Sequence, residues 1–178
     1  MQAHALRKNY FELFGLPVTF DLNIADLAAR YRELQHNVHP DKFSHASVQE
    51  RRLSVQMTSH VNEAFQTLKD PLKRGRYLLH LQGIETDEET DTVMDPAFLA
   101  DQMELRERLE EIRSRRSQAS LSEFTENIKR RLRLKIDQLR LSLAQTSEAA
   151  RVRARGLIRE TQFLEKLLQE TEKLEEEY

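Results

Sequence analysis

Glycine and proline are so scarce in this chain, and so regularly placed, that they mark out a series of helices. Four of each occur in 178 residues, and nearly all stand where a helix would start or stop. Asn9-Tyr10-Phe11-Glu12 has the form of a capping box, with Asn9 and Glu12 covering free amides of a first turn. Gly15 and then Pro17 end that short helix, whose apolar face carries Tyr10, Phe11, Leu13 and Phe14. Asn23 caps a second helix. There Ile24, Leu27, Ala28, Tyr31, Leu34, Gln35 and Val38 recur at steps of three and four and draw one mainly apolar stripe. Pro40 stops it, because proline lacks an amide hydrogen and pushes His39 out of the helical region. Ser47 and Glu50 form a second capping box, opening a third helix striped by Leu53, Met57, Val61, Ala64, Phe65 and Leu68. Asp70-Pro71 reads as a cap followed by proline at the first helical position. The short fourth helix carries Leu72, Leu78, Leu79 and Leu81, and Gly83 closes it.

Residues 84–95 change character: Glu85, Asp87, Glu88, Glu89, Asp91 and Asp95 dominate, without apolar periodicity, as in a linker. Asp95-Pro96 repeats the cap-then-proline signal and opens a second domain. Three longer helices are predicted there, over roughly 96–115, 120–144 and 147–176. Leu121, Phe124, Ile128, Leu132, Leu139 and Leu143 mark the buried side of the middle one. Ala150, Ala154, Leu157, Leu164 and Leu168 mark that of the last. No strand alternation persists. The predicted fold class is all-α, with a helical hairpin and short flanking helices over 1–83, an acidic linker over 84–95, and an antiparallel three-helix bundle over 96–178. Apolar content of 39% and charged content of 33% suit slender bundles better than a thick core.

Several functions are excluded early. With no cysteine, the chain has no disulfides, no thiolate metal sites and no cysteine nucleophile, nor thiolates to carry an iron–sulfur cluster. His4, His45, His60 and His80 lack metal-ligand spacing, so neither metal nor cofactor is expected. A net charge of −2 implies no global field for polyanions. No apolar run approaches the roughly 18–20 residues that span a bilayer. Met1 to Lys8 is too short and too polar for a signal peptide, so a soluble, cytoplasmic protein is expected.

His39-Pro40-Asp41, followed by Lys42-Phe43, places an imidazole, a helix-breaker and a carboxylate on one exposed turn. Three readings compete: a plain helix stop, a catalytic His/Asp pair, and a rigid recognition loop. Adjacent residues seldom present both groups to one reacting atom, and no nucleophile or metal cluster is at hand to join them. Recognition benefits from rigidity, because preorganisation reduces the entropy lost on binding.

A short aromatic helix, an amphipathic helix, His-Pro-Asp-Lys-Phe and a long third helix together resemble the J-domain of DnaJ-type co-chaperones. Tyr10-Phe11-Glu12-Leu13-Phe14-Gly15-Leu16-Pro17, Asn62 to Leu68 and Asp70 to Leu79 narrow the likeness to the HscB family, J-type co-chaperones of iron–sulfur cluster assembly. The resemblance continues at Phe98-Leu99, Glu104 to Glu107 and Phe163 to Leu167, and so covers nearly the whole chain. It implies that His39, Pro40, Asp41 and Lys42, with Arg30, Arg32 and His36 of the second helix, contact a DnaK-type, HscA-like chaperone. Hydrolysis would then occur on the partner, so this chain would not be an enzyme. Arg32 and His36 share one polar flank of that helix and Arg30 lies on the other. Asp26 and Glu33 dilute its positive charge.

The 96–115 helix carries a second signal. With Leu105 at the centre of its buried face, Phe98, Leu109 and Ile112 fall within about 40° of it at 100° per residue. Leu99 and Met103 fall at about 120° and about 160°, on the side of Ala100, Glu104, Glu107 and Glu111. Either the rest of the chain covers this apolar stripe, or it is a contact surface. The HscB resemblance implies the second: Leu99, Ala100, Met103, Glu104, Glu107 and Glu111 would bind an IscU-like iron–sulfur scaffold protein, with Phe163 of the last helix as a further contact. Ala100 stands where relatives carry a larger apolar residue and Met103 where they carry leucine. The first reduces apolar area and the second is nearly volume-neutral. A monomer without nucleic-acid or membrane partners is expected. The alternatives are a J-domain adaptor for an unrelated client, and a helical nucleic-acid binder using the basic run Lys129, Arg130, Arg131, Arg133 and Lys135. Helical geometry spreads that run around one element, which favours a solvated face over a groove.

Overall fold

The computed structural model describes residues 8–43, 46–86 and 95–177. Seven α-helices are found among them, in the order α1 Tyr10–Leu13, α2 Ile24–Val38, α3 Val48–Lys69, α4 Pro71–Leu81, α5 Pro96–Arg115, α6 Gln118–Leu143 and α7 Glu148–Glu177. A single 3-10 turn, Pro40–Phe43, follows α2. No strand occurs among the described residues, so the predicted all-α class is the observed one. The chain divides into two compact units between Leu78 and Leu79. Of the predicted linker, Asp87, Glu88, Glu89 and Asp91 lie outside the described residues, as do His4, His45 and Met1 to Arg7.

The helix starts follow from side chains that satisfy free amides. Asn9 accepts from the Glu12 amide at 2.9 Å while the Glu12 carboxylate accepts from the Asn9 amide at 3.1 Å. Ser47 and Glu50 repeat the exchange before α3. The Ser47 hydroxyl and then its amide hold the Glu50 carboxyl below its usual value. Asn23, Asp70 and Asp95 each accept an amide hydrogen bond at the heads of α2, α4 and α5. Gly15 ends the first helical segment in the left-handed region, at φ +62°, and a side chain there would meet the Arg30 guanidinium at 3.2 Å.

In the first unit α2 and α3 form an antiparallel hairpin. Tyr31 stacks on Phe65 with centroids 4.1 Å apart and its hydroxyl donates to Asn62, while the end of α2 meets the start of α3. α1 packs on α3. Phe11, Phe14, Phe20, Leu27, Met57, Val61, Ala64, Leu68 and Leu72 are buried. Each large apolar side chain among them contributes about 1.5–3 kcal/mol by leaving water. Ile24, placed on the stripe by its spacing, is partly exposed at the head of α2.

Tyr10 stacks on Tyr77 at 4.3 Å, and its amide donates to the Tyr77 hydroxyl. Burial first, and then the Glu63 carboxylate, pushes the Tyr10 phenol up to about 12. The native state therefore keeps its proton where the unfolded chain loses it near 10. The Tyr10 contribution is intact below about pH 10 and is lost as pH rises toward about 12. Discounted for partial exposure, it amounts to about 1–2 kcal/mol. Tyr10→Phe should make the fall of unfolding free energy across this window shallower, measured by urea titration at stepped pH. An unchanged slope would refute the assignment.

In the second unit α5, α6 and α7 pack as a three-helix bundle. Arg131 reaching Asp101, and Thr125 bonding Glu175, show that both neighbouring pairs run antiparallel. Leu105, Leu109 and Ile112 of α5 close against Leu121, Phe124 and Ile128 of α6 and Phe163, Leu164, Leu167 and Leu174 of α7. α6 and α7, at 26 and 30 residues, outrun the 20 residues of α5. Arg116 ends α5 with a left-handed φ of 47°.

Candidate functional site

The turn after α2 is built by missing hydrogen bonds. Pro40 has no amide to offer the helix, so the chain leaves α2 at His39 with an extended backbone. The Lys42 amide then donates to the His39 carbonyl at 3.1 Å, closing the 3-10 turn. The Asp41 amide donates to His39 Nδ1 at 3.3 Å. With Nδ1 accepting, the neutral imidazole carries its proton on Nε2 and presents that nitrogen as a donor. The His39 side chain is 51% exposed and the Asp41 side chain 91%, with Asp41 Oδ2 3.6 Å from Nδ1. Lys42 is exposed beside them. The result is a short, internally bonded turn holding one donor ring and one carboxylate toward solvent.

Two residues missed by the sequence reading hold this turn from behind. Ser54 and Thr58 of α3 both direct hydroxyls at the Val38 carbonyl. Their signal was available, since polar side chains at positions 54 and 58 share the side of the helix that carries Met57 and Val61.

The basic residues of α2 separate by role. Arg32 and His36 are exposed. Arg30 is half-buried, with Nε 3.1 Å from both oxygens of Asp26 and Nη1 donating to the carbonyls of Phe14 at 3.0 Å and Gly15 at 3.1 Å. It ties the end of α1 to α2. Arg30→Met should destabilise the chain by about 1–2 kcal/mol in chemical denaturation, because two carbonyls lose a charged donor. A neutral result would show that these bonds are idle.

On the second unit, Leu99 is 46% exposed and Met103 57%, whereas Leu105, Leu109 and Ile112 are buried. Ala100, Glu104, Glu107 and Glu111 are exposed with them, and Glu111 pairs with Arg115 at 2.6 Å. The apolar stripe on the outer side of α5 is therefore uncovered within its own bundle. Phe163 is placed differently. At 8% exposure it belongs to the core, edge-on to the Phe98 ring at 6.1 Å and 5.6 Å beneath the Arg106 guanidinium. It supports α5 from below rather than standing on the same surface.

The basic run of α6 is largely spent in ion pairs: Lys129 with Glu126, Arg131 with Asp101 and Lys135 with Glu160. Arg130 and Arg133 are exposed. Among the described residues, no group of three or more histidines and carboxylates could hold a metal. No helix there is long and apolar enough to cross a membrane. His60 lies against the Tyr10 ring, and His80 lies 3.1 Å from Glu85.

A helical hairpin bent at an exposed His-Pro-Asp turn, joined to a separate three-helix bundle, defines a two-unit J-domain protein. Known proteins carry the assignment further. Residues 94–172 match the family described as the HSCB C-terminal oligomerisation domain. The co-chaperone protein HscB homolog of Shewanella oneidensis is 46% identical over 170 residues, covering 94% of this chain and 97% of that protein. The homolog of Vibrio cholerae is 44% identical over 170 residues, covering 95% and 98%. The solved structure of chaperone HscB from Vibrio cholerae superposes with a TM-score of 0.83 at 40% identity, over 96% of this chain and 99% of that one. That of human co-chaperone protein HscB gives 0.85 at 32% identity, over 93% and 81%. The chain belongs to the HscB family of co-chaperones, which work beside a chaperone partner.

Proposed function

We propose that this chain stimulates the ATPase of an HscA-like, DnaK-type chaperone and delivers an IscU-like iron–sulfur scaffold protein to it, assisting cluster transfer to recipient proteins. The observation that carries this reading is the pairing, on one chain, of two exposed contact features. One is the internally bonded His39-Pro40-Asp41 turn; the other is the uncovered Leu99–Met103 stripe with its acidic flank. The chain itself is not an enzyme. His39, Asp41 and Lys42, with Arg32 and His36, meet the chaperone, while Arg30 acts mainly by holding α1. Leu99, Ala100, Met103, Glu104, Glu107 and Glu111 meet the scaffold, and Phe163 stiffens the helix that bears them.

The organisation proposed is a docking domain over 1–83, an acidic linker over 84–95 and a client domain over 96–178, acting in the cytoplasm as a monomer. Carrying both contacts on one chain raises the client's effective concentration at the chaperone, so each contact can be modest. Opposite charges steer the encounters and fix their orientation more than they add affinity.

The test is chaperone ATP turnover with scaffold alone, with this chain alone, and with both. Greater-than-additive turnover with both supports the proposal, and simple addition contradicts delivery. The description of the matched C-terminal family as an oligomerisation domain favours a second reading, in which the α5 stripe meets another copy. Sedimentation of the free chain separates them: a dimer lost on Leu99→Ala with Met103→Ala supports that reading, and a monomer supports the client face.

A further inference from the structure

α2 ends with a buried carbonyl that its own helix leaves without a partner. Val38 is 6% exposed, and the amide four residues on, that of Lys42, is committed to the His39 carbonyl instead. A buried, unpaired carbonyl would be costly, so another element has to supply donors. α3 does so. Ser54, wholly buried, donates from Oγ to the Val38 carbonyl at 3.1 Å. Thr58 Oγ1 lies 3.2 Å from the same carbonyl and 2.9 Å from the Ser54 carbonyl, with one hydrogen to share between them. The carbonyl has two lone pairs and can accept both hydroxyls.

This arrangement does more than pack two helices. Val38 immediately precedes His39, so its peptide plane sets where the turn leaves α2. The bonds inside the turn, Lys42 amide to His39 carbonyl and Asp41 amide to His39 Nδ1, fix its shape but not its direction. Direction comes from the element outside the turn that grips its root. A 22-residue helix with its own capping box is a stiff support for that purpose.

We infer that Ser54 and Thr58 are positioning residues for the His39-Pro40-Asp41 turn, and that their hydroxyls set how well the turn activates its partner. The inference rests on the chaperone-docking reading of the turn, but its first readout does not.

The experiment compares full-length variants. Ser54→Ala with Thr58→Val removes both donors at nearly unchanged side-chain shape, and Ser54→Ala with Thr58→Ser gives up a methyl group as well but keeps one donor. In amide hydrogen exchange followed by NMR, the first variant should exchange the Lys42 amide about tenfold faster or more, with α6 and α7 unchanged. The second should stay near wild type. In the chaperone ATPase assay, the first should lower maximal stimulation about fivefold without changing scaffold affinity, and the second should recover most of it. Phe20→Leu, a core change in the α1–α2 loop, controls for lost stability: at a comparable melting temperature it should keep full stimulation. Unchanged Lys42 exchange in the donor-free variant overturns the inference. So does equal loss of stimulation in the Phe20→Leu chain. A wild-type chain that leaves the chaperone unstimulated overturns the docking reading instead, and the exchange result then decides the brace alone.

Discussion

A His39→Gln chain is expected to fold, to bind the scaffold as wild type does, and to lose about tenfold or more of its stimulation of the chaperone ATPase. The imidazole is half-exposed and its Nδ1 accepts from the amide of Asp41, so removing it opens no cavity. A glutamine amide can still accept that bond. It cannot reproduce a stiff ring fixed by its Nδ1 contact, and its extra rotatable bond must be frozen when the partner docks. Melting temperature, scaffold titration and stimulated turnover together check the prediction. Full stimulation by a folded His39→Gln chain would mean that the turn is only a helix stop.

The second large effect is expected on α5. Leu99→Ala with Met103→Ala should weaken scaffold binding by about thirtyfold to a thousandfold, since apolar anchors at an interface each contribute about 1–2 kcal/mol. Stability should change by less than about 1 kcal/mol, because both side chains are already substantially in water. Leu105→Ala, two residues further on, should do the reverse. It empties part of the core and should lower stability by about 2–5 kcal/mol. A steep loss of melting temperature in the Leu99/Met103 variant would place the stripe in the interior.

Much of this architecture is legible in the sequence because its signals are local. Asn9 with Glu12 and Ser47 with Glu50 act within one turn, and both capping boxes form where the letters place them. Pro71 and Pro96 open their helices as the position after a cap requires. Likewise, the angular separation of Leu99 and Met103 from Leu105 along α5 is a property of one helix, and burial divides along it.

What the sequence does not disclose is tertiary. Arg30 looks like any surface cation until α1 brings the Phe14 and Gly15 carbonyls within 3.1 Å of its guanidinium. Phe163 is a further contact by family likeness, and only the packed bundle shows its ring edge-on to Phe98 of α5 and beneath Arg106. Ser54 and Thr58 carry a role only because the hairpin delivers an unpartnered carbonyl to them. The same holds for Tyr10, whose raised ionisation comes from burial beside Glu63 on another helix.

The central claim is that one chain must hold client and chaperone together, and mixing two defective chains tests it most directly. The His39→Gln chain keeps the client face, and the Leu99→Ala/Met103→Ala chain keeps the docking turn. Added together with scaffold to the chaperone, they should give no more ATP turnover than the sum of each added alone, far below the wild-type chain at equal concentration. Recovery of wild-type synergy by the mixture would show that the two contacts need not share a chain, and would contradict the account.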